Sequence, residues 1–279
     1  MSVVWRLIVD GAEDGAWNMA VDEAILESYE RDAGPAGPTL RLYGWTPATI
    51  SLGRSQSVHG SHDPAVARRE GLGLVRRPSG GTAVLHELER TYAVVGGLNK
   101  APFSGGVKGA YRAIAGALTH GLRRLGVAAG AAEPVRGLRP AIPAACFERA
   151  GAWEIEANAR KLVGSAQVRR RRAVLQHGSI PIRLDPTRLS TVLGREVDGG
   201  RFVDLERSLG RAVEDRELDA ALIGGFEEAF GAKLVPGVLA ESEALRAAEL
   251  RCWKYDSIAW TRDGAIGIRE SRWGPSLAR

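Results

Sequence analysis

The sequence predicts an α+β fold, with mixed central β-sheets flanked by helices. Three observations lead there. Strand-like and helix-like runs follow one another without the regular alternation of a doubly wound sheet. Neither a glycine-rich dinucleotide fingerprint nor a phosphate-binding P-loop is present. At 279 residues and 44% hydrophobic content the chain is long enough to bury a substantial core. We read residues 1–279 as a single domain, mainly helical from about residue 186 onward.

Taken in order, Asn18 precedes a pattern at Val21, Ala24, Ile25 and Ser28, so a helix capped by Asn18 is expected. Leu40 and Leu42 alternate with Arg41 and Tyr43, and Ile50 and Leu52 flank Ser51, which predicts two strands. Asp63-Pro64 opens a short helix to about Glu70, because proline is preorganised for the first helical position. Strands follow at 72–76 and 91–95 on either side of a glycine-containing turn. Val107, Tyr111, Ile114, Leu118, Leu122 and Leu125 recur at helical spacing, and Gly126 ends that helix. Alanine, glycine and proline dominate 130–145, an irregular connection. Residues 153–157, 160–168 and 173–184 read as consecutive strands, with Asn158-Ala159 and the arginines at 169–172 as turns. Asp185-Pro186 begins another helix, ending near Gly194. Leu218, Leu222, Phe226 and Phe230, then 244–255, complete the helical part.

No apolar run approaches the roughly 20 residues that span a bilayer, and residues 1–10 lack a basic region followed by an apolar stretch. A cytoplasmic location without membrane attachment is expected. Two cysteines far apart argue against a disulfide framework or a cysteine-rich metal site. The formal charge of +5 comes with no zinc-finger spacing or RNA-binding aromatic motif, so it predicts no nucleic acid partner; an acidic protein partner explains it equally.

Three segments carry chemistry. In Arg76-Arg77-Pro78-Ser79-Gly80-Gly81-Thr82-Ala83-Val84-Leu85-His86, adjacent glycines let the backbone approach a ligand and donate to its oxygens, although Ser-Gly-Gly alone is more often a hairpin turn. In Arg160-Lys161-Leu162-Val163-Gly164-Ser165-Ala166-Gln167, followed by Leu175-Gln176-His177-Gly178-Ser179, a lysine and a histidine beside glycines suit an anion or carbonyl site. Taken singly, a strand lysine usually faces solvent and a strand histidine is usually structural. His177 has no second ligand at a useful spacing, so no metal is expected. The third is Cys146, just after the irregular connection. At an ordinary thiol pKa of about 8.5 only about 3% is thiolate at pH 7, and lowering it to about 7 takes about 2 kcal/mol. A nearby ammonium can supply that, and Lys161 is the sequence-near candidate. Cys252, in a helical context, reads as a small packing residue.

In this order the three segments resemble the biotin/lipoate protein ligase and octanoyltransferase superfamily. Supporting matches lie at Asn18-Met19-Ala20-Val21-Asp22-Glu23-Ala24 and Leu40-Arg41-Leu42-Tyr43-Gly44-Trp45, so the resemblance covers roughly residues 3–185. Cys146-Phe147 shortly before the lysine motif is similar to the cysteine-dependent LipM-type octanoyltransferases, whereas ATP-dependent lipoate ligases do without that cysteine. Glu87 stands where an aspartate often follows the histidine, and Asn158-Ala159 replaces a more usual Glu-Gly turn.

The resemblance implies a class II biotin/lipoate transferase-like catalytic domain that needs neither cofactor nor metal. It makes Cys146 and Lys161 catalytic, the cysteine taking octanoyl from acyl carrier protein and passing it to a lysine of a lipoyl domain or the glycine-cleavage H protein. Arg76, Ser79, Gly80, Gly81, His86, Gly164, Ser165 and His177 are then the expected substrate-binding residues. The arginines at 169–172 dock acidic carriers or form a solvated turn. An ATP-dependent ligase, an octanoyl amidotransferase between carrier proteins and a noncatalytic acyl-binding or carrier-binding module are the alternative readings.

Overall fold

The computed structural model describes residues 3–58, 64–131, 154–193 and 196–264. Strand β1 (Val3–Glu13) and helix α1 (Gly15–Glu30) come first, then β2 (Thr39–Trp45), β3 (Thr49–Leu52), α2 (Pro64–Arg69), β4 (Gly73–Arg76), β5 (Val84–His86) and β6 (Glu89–Gly97). Helix α3 (Gly106–Arg124) and β7 (Ala129–Ala131) precede β8 (Ile155–Ala157), β9 (Arg160–Arg169) and β10 (Ala173–Pro181). The remainder is α4 (Pro186–Leu193), α5 (Leu205–Leu209), α6 (Asp215–Phe230), β11 (Ala232–Pro236), α7 (Glu241–Leu250) and α8 (Ile258–Asp263).

Eight strands form one mixed sheet in the order β11-β1-β2-β6-β10-β9-β8-β7. Strand β1 runs parallel to both its neighbours, and from β2 to β7 the strands are antiparallel. A second sheet, β4-β3-β5, lies apart. On one face of the large sheet, Leu40, Leu42, Val94 and Val174 pack with Ile114 and Leu118 of α3 and Leu218, Leu222 and Phe226 of α6. On the other, Ala93, Val95 and Leu175 pack with Met19, Val21, Ala24 and Ile25 of α1 and Ala247 and Leu250 of α7. Each large apolar side chain so buried contributes about 1.5–3 kcal/mol. The mixed α+β class expected from the sequence is the one observed.

Local differences have identifiable causes. Helix α1 begins earlier than expected because Asp14, not Asn18, accepts from the Trp17 N–H. Asn18 lies inside the helix, where its side chain donates to the Glu13 and Gly44 carbonyls and ties the helix to β2. Strand β11 lies within the mainly helical third and pairs with β1, a parallel edge contact with no local turn signal. The Asn158-Ala159 turn is as expected, with both residues at positive φ (52° and 57°), as a two-residue hairpin turn requires. Among the described residues no helix is long and apolar enough to cross a membrane.

Candidate active site

Residues directly opposite in neighbouring strands share a face of the sheet. Arg41 on β2 pairs with Ala93 on β6, Ala93 with His177 on β10, and His177 with Ala166 on β9, so these four form a row across the sheet. The small Ala93 leaves a gap between the arginine and the histidine, and Asp22 of α1 fills it. Its Oδ1 accepts from Arg41 Nη1 at 2.9 Å, while Oδ2 accepts from Tyr43 Oη at 2.9 Å and from His177 Nδ1 at 3.0 Å. Burial pushes the Asp22 carboxyl up, but the His177 hydrogen bond and the Arg41 charge outweigh it and hold it below the usual carboxylate range. An ionised carboxylate only accepts, so Nδ1 carries the ring proton it shares with Asp22, and Nε2 faces away from the carboxylate. There it receives the hydroxyl of Ser79 at 2.6 Å.

Ser79 sits in the loop between β4 and β5. Arg77 holds that loop by donating to the Gly80 and Thr82 carbonyls, each at 2.8 Å, and to Ser51 O and Oγ on β3. Gly81 adopts φ +94°, a conformation that favours glycine. Arg76, the other arginine of the motif, points elsewhere: it donates to the carbonyls of Trp260, Thr261 and Arg262 and of Gly53 and Gln56, pinning α8 against the small sheet. Side chains alternate along β4, which explains why one arginine serves the pocket and its neighbour the packing.

A second hydrogen-bonded histidine borders the same cavity. His86 Nε2 is 2.8 Å from Ser51 Oγ, Nδ1 is 3.3 Å from Glu89 Oε1, and Trp45 stacks on the ring at 3.9 Å. Burial pushes the His86 pKa down, and this outweighs the pull of Glu89. The cavity, about 30 Å³, is lined by Met19, Trp45, Arg77, His86, His177 and the Gly164-Ser165-Ala166 stretch. Gly178 borders it where a Cβ would lie 2.4 Å from the Gly164 carbonyl oxygen, so only glycine fits between β9 and β6 there. Another cavity, about 750 Å³, lies on the opposite face of β5 beside Leu85, Glu87, Arg183 and Arg188, and none of the expected site residues lines it.

Lys161 reaches the histidine face through a β-bulge. Ile155 pairs with Val163 but Glu156 pairs with Lys161, so β9 carries one extra residue. Leu162 and Val163 consequently both enter the core on the α3 side, and Lys161 turns to the other face, which carries Gly164 and Ala166. Its side chain, 2% exposed, donates to Glu154 Oε1 at 2.7 Å. Cys146 lies outside the described residues. Cys252, expected to be a packing residue, is exposed in the helical turn after α7.

Residues 14–227 match the lipoyl protein ligase A/B catalytic domain. The chain belongs to this family. Among lipoyl protein ligase A/B relatives, octanoyltransferase LipM of Kyrpidia tusciae is 41% identical over 92% of this chain and 97% of its own length. Octanoyltransferase LipM of Moorella thermoacetica is 40% identical over the same shares. A lipoate protein ligase structure from T. acidophilum with bound lipoic acid superposes with a TM-score of 0.74 at 25% identity, covering 94% of this chain and 99% of that one. Within this family domain, the structure gathers His86, Gly164, Ser165 and His177 around one cavity, places the buried Ser79 against His177, and directs Arg76 away. Sequence reasoning missed Asp22, Arg41, Tyr43, Ser51 and Arg77 as site residues. Asp22 and Arg41 stood in the quoted supporting motifs, and a charged residue at a core-facing position was the signal that could have found them.

Proposed function

We propose that the chain is an octanoyltransferase of protein lipoylation, acting in the cytoplasm through a thioester on Cys146. What carries the reading is its likeness to octanoyltransferases over nearly the whole of both chains, 41% identical in the first case. The geometry is compatible with it. The bulge turns Lys161 toward the face of Gly164 and His177, where an ammonium holds a carbonyl oxygen and lowers the pKa of an adjacent thiol. Cys146 attacks the thioester of octanoyl acyl carrier protein, the carrier thiolate leaves, and a lysine of a lipoyl domain or glycine-cleavage H protein then takes the acyl group. Neither a nucleotide nor a metal enters either step.

The test is transfer from octanoyl acyl carrier protein to a purified lipoyl domain, read by mass, with and without ATP. Equal transfer in both is expected. Modification only with free octanoate or lipoate and ATP replaces the proposal with a ligase, and binding of carrier without transfer replaces it with a noncatalytic module.

A further inference from the structure

Binding an acyl carbonyl leaves one arrangement in the cavity wall unexplained, in which His177 borders the cavity and its two partners lie buried behind it. Asp22, His177 and Ser79 come from α1, β10 and the β4–β5 loop, and His177 lies 155 and 98 positions from its two partners. Their exposures are 0%, 5% and 0%. Carboxylate to Nδ1 is 3.0 Å and Nε2 to hydroxyl is 2.6 Å, a continuous path for a proton ending on a ring whose cation the carboxylate stabilises.

The charged side chains around the ring sum to one negative charge. Asp22 and Asp10 both pair with Arg41, which leaves one negative charge in excess. Tyr43 is kept neutral by burial and by Asp22. Across the cavity, Arg77 and Glu89 offset each other around a His86 that burial keeps uncharged. A proton on His177 therefore brings the group to neutrality instead of creating an unpaired buried cation.

We propose that Ser79, His177 and Asp22 form the proton-accepting chain for the acceptor lysine. The inference rests on the thioester reading given above. The acceptor enters as its neutral amine, and the nitrogen lone pair forms the C–N bond with the thioester carbon. One amine proton passes to Ser79 Oγ while the hydroxyl proton of Ser79 passes to His177 Nε2. The C–S bond then breaks, sulfur leaves with the electron pair, and His177 returns its proton to that thiolate or to solvent. Asp22 remains ionised throughout, holding the imidazolium.

The test separates nucleophiles that need a base from one that does not. The full chain is loaded with octanoyl to completion, freed of donor, and discharged either by a lipoyl domain or by hydroxylamine, which is uncharged at neutral pH. His177→Gln and Ser79→Ala are each expected to lower the ratio of lipoyl-domain to hydroxylamine discharge by about 100-fold, a typical loss for a general base. Ser79→Ala removes a single hydroxyl and carries the test if His177→Gln does not fold. An unchanged ratio, whether both rates hold or both fall together, overturns the proposal. A parent chain that takes up no acyl group refutes the thioester reading instead, and the proposal falls with it.

Discussion

Lys161 Nζ donates to Glu154 Oε1 at 2.7 Å, and the two side chains are 2% and 12% exposed. The lysine proposed to form a catalytic dyad with Cys146 is therefore held by a carboxylate, whose charge opposes the ammonium's effect on a nearby thiol. Removing either partner should move the reactivity of Cys146 in opposite directions. Lys161→Ala should slow alkylation at neutral pH by roughly tenfold, as the thiolate fraction falls from about one half toward about 3%. Glu154→Gln should speed it. The measurement belongs in a Cys252→Ala background, because Cys252 is exposed and alkylates on its own. Slowing in both variants, or in neither, contradicts the dyad.

Cys252→Ala itself should leave octanoyl transfer within about twofold of the parent, as surface substitutions away from a site usually do. Steady-state transfer checks this. A large loss with the fold intact would mean that the acyl group passes through Cys252.

Arg76 and Arg77 should separate stability from activity. Arg76→Ala strands buried carbonyls of Gly53, Gln56 and the α8 segment, so urea unfolding should show a loss of about 3 kcal/mol or more. Arg77→Ala should affect transfer more than its neighbour does per unit of stability lost, since Arg77 aims the Ser79 loop. Equal transfer by both variants at equal folded fraction would contradict the assignment.

The hairpin turn offers a stabilising substitution. Ala159 sits at φ 57°, where a Cβ costs about 1–2 kcal/mol that glycine avoids. Ala159→Gly should raise the unfolding free energy by roughly half to one kcal/mol after the entropy lost by glycine is counted. A fall in stability would show that the turn tolerates alanine without strain.

Three carboxylates tie α1 to its surroundings: Asp22 to Arg41, Glu27 to Arg246, and Glu243 of α7 to Arg6 and Ser28. In each, burial raises the pKa but hydrogen bonds and arginine charges outweigh it, so the folded values lie below the ordinary 3.8 and 4.5. Groups depressed on folding stabilise the protein above their unfolded pKa, and that contribution is lost as pH falls through the folded values. Urea midpoints should hold steady from pH 7 to about 5 and drop below about pH 4.5. A midpoint unchanged at pH 3 would contradict the ion-pair assignment.

The alternation in 40–43 and the strand-like run at 91–95 marked β2 and β6, central strands buried on both faces, and the periodicity from Val107 to Leu125 marked α3, which buries one face against the sheet. Ser79, His86 and His177 were visible as motif residues, but their partners were not, since Ser79 meets His177 where the β4–β5 loop reaches the large sheet, and His86 meets Ser51 through the β3–β5 pairing. Arg76 and Arg77 were indistinguishable in sequence, and only their opposite directions from β4 separate them. The bulge that reorients Lys161 left no mark in Leu162-Val163, which reads as ordinary strand.

The central claim is a thioester on Cys146 formed without nucleotide. Intact mass spectrometry of the full chain and its Cys146→Ala and Cys252→Ala variants, after mixing with octanoyl acyl carrier protein alone, tests it most directly. The account predicts a single octanoyl adduct on the parent and on Cys252→Ala, discharged when a lipoyl domain is added, and none on Cys146→Ala. An adduct that survives in Cys146→Ala, or transfer that proceeds while no acyl-enzyme forms on the parent, would contradict it.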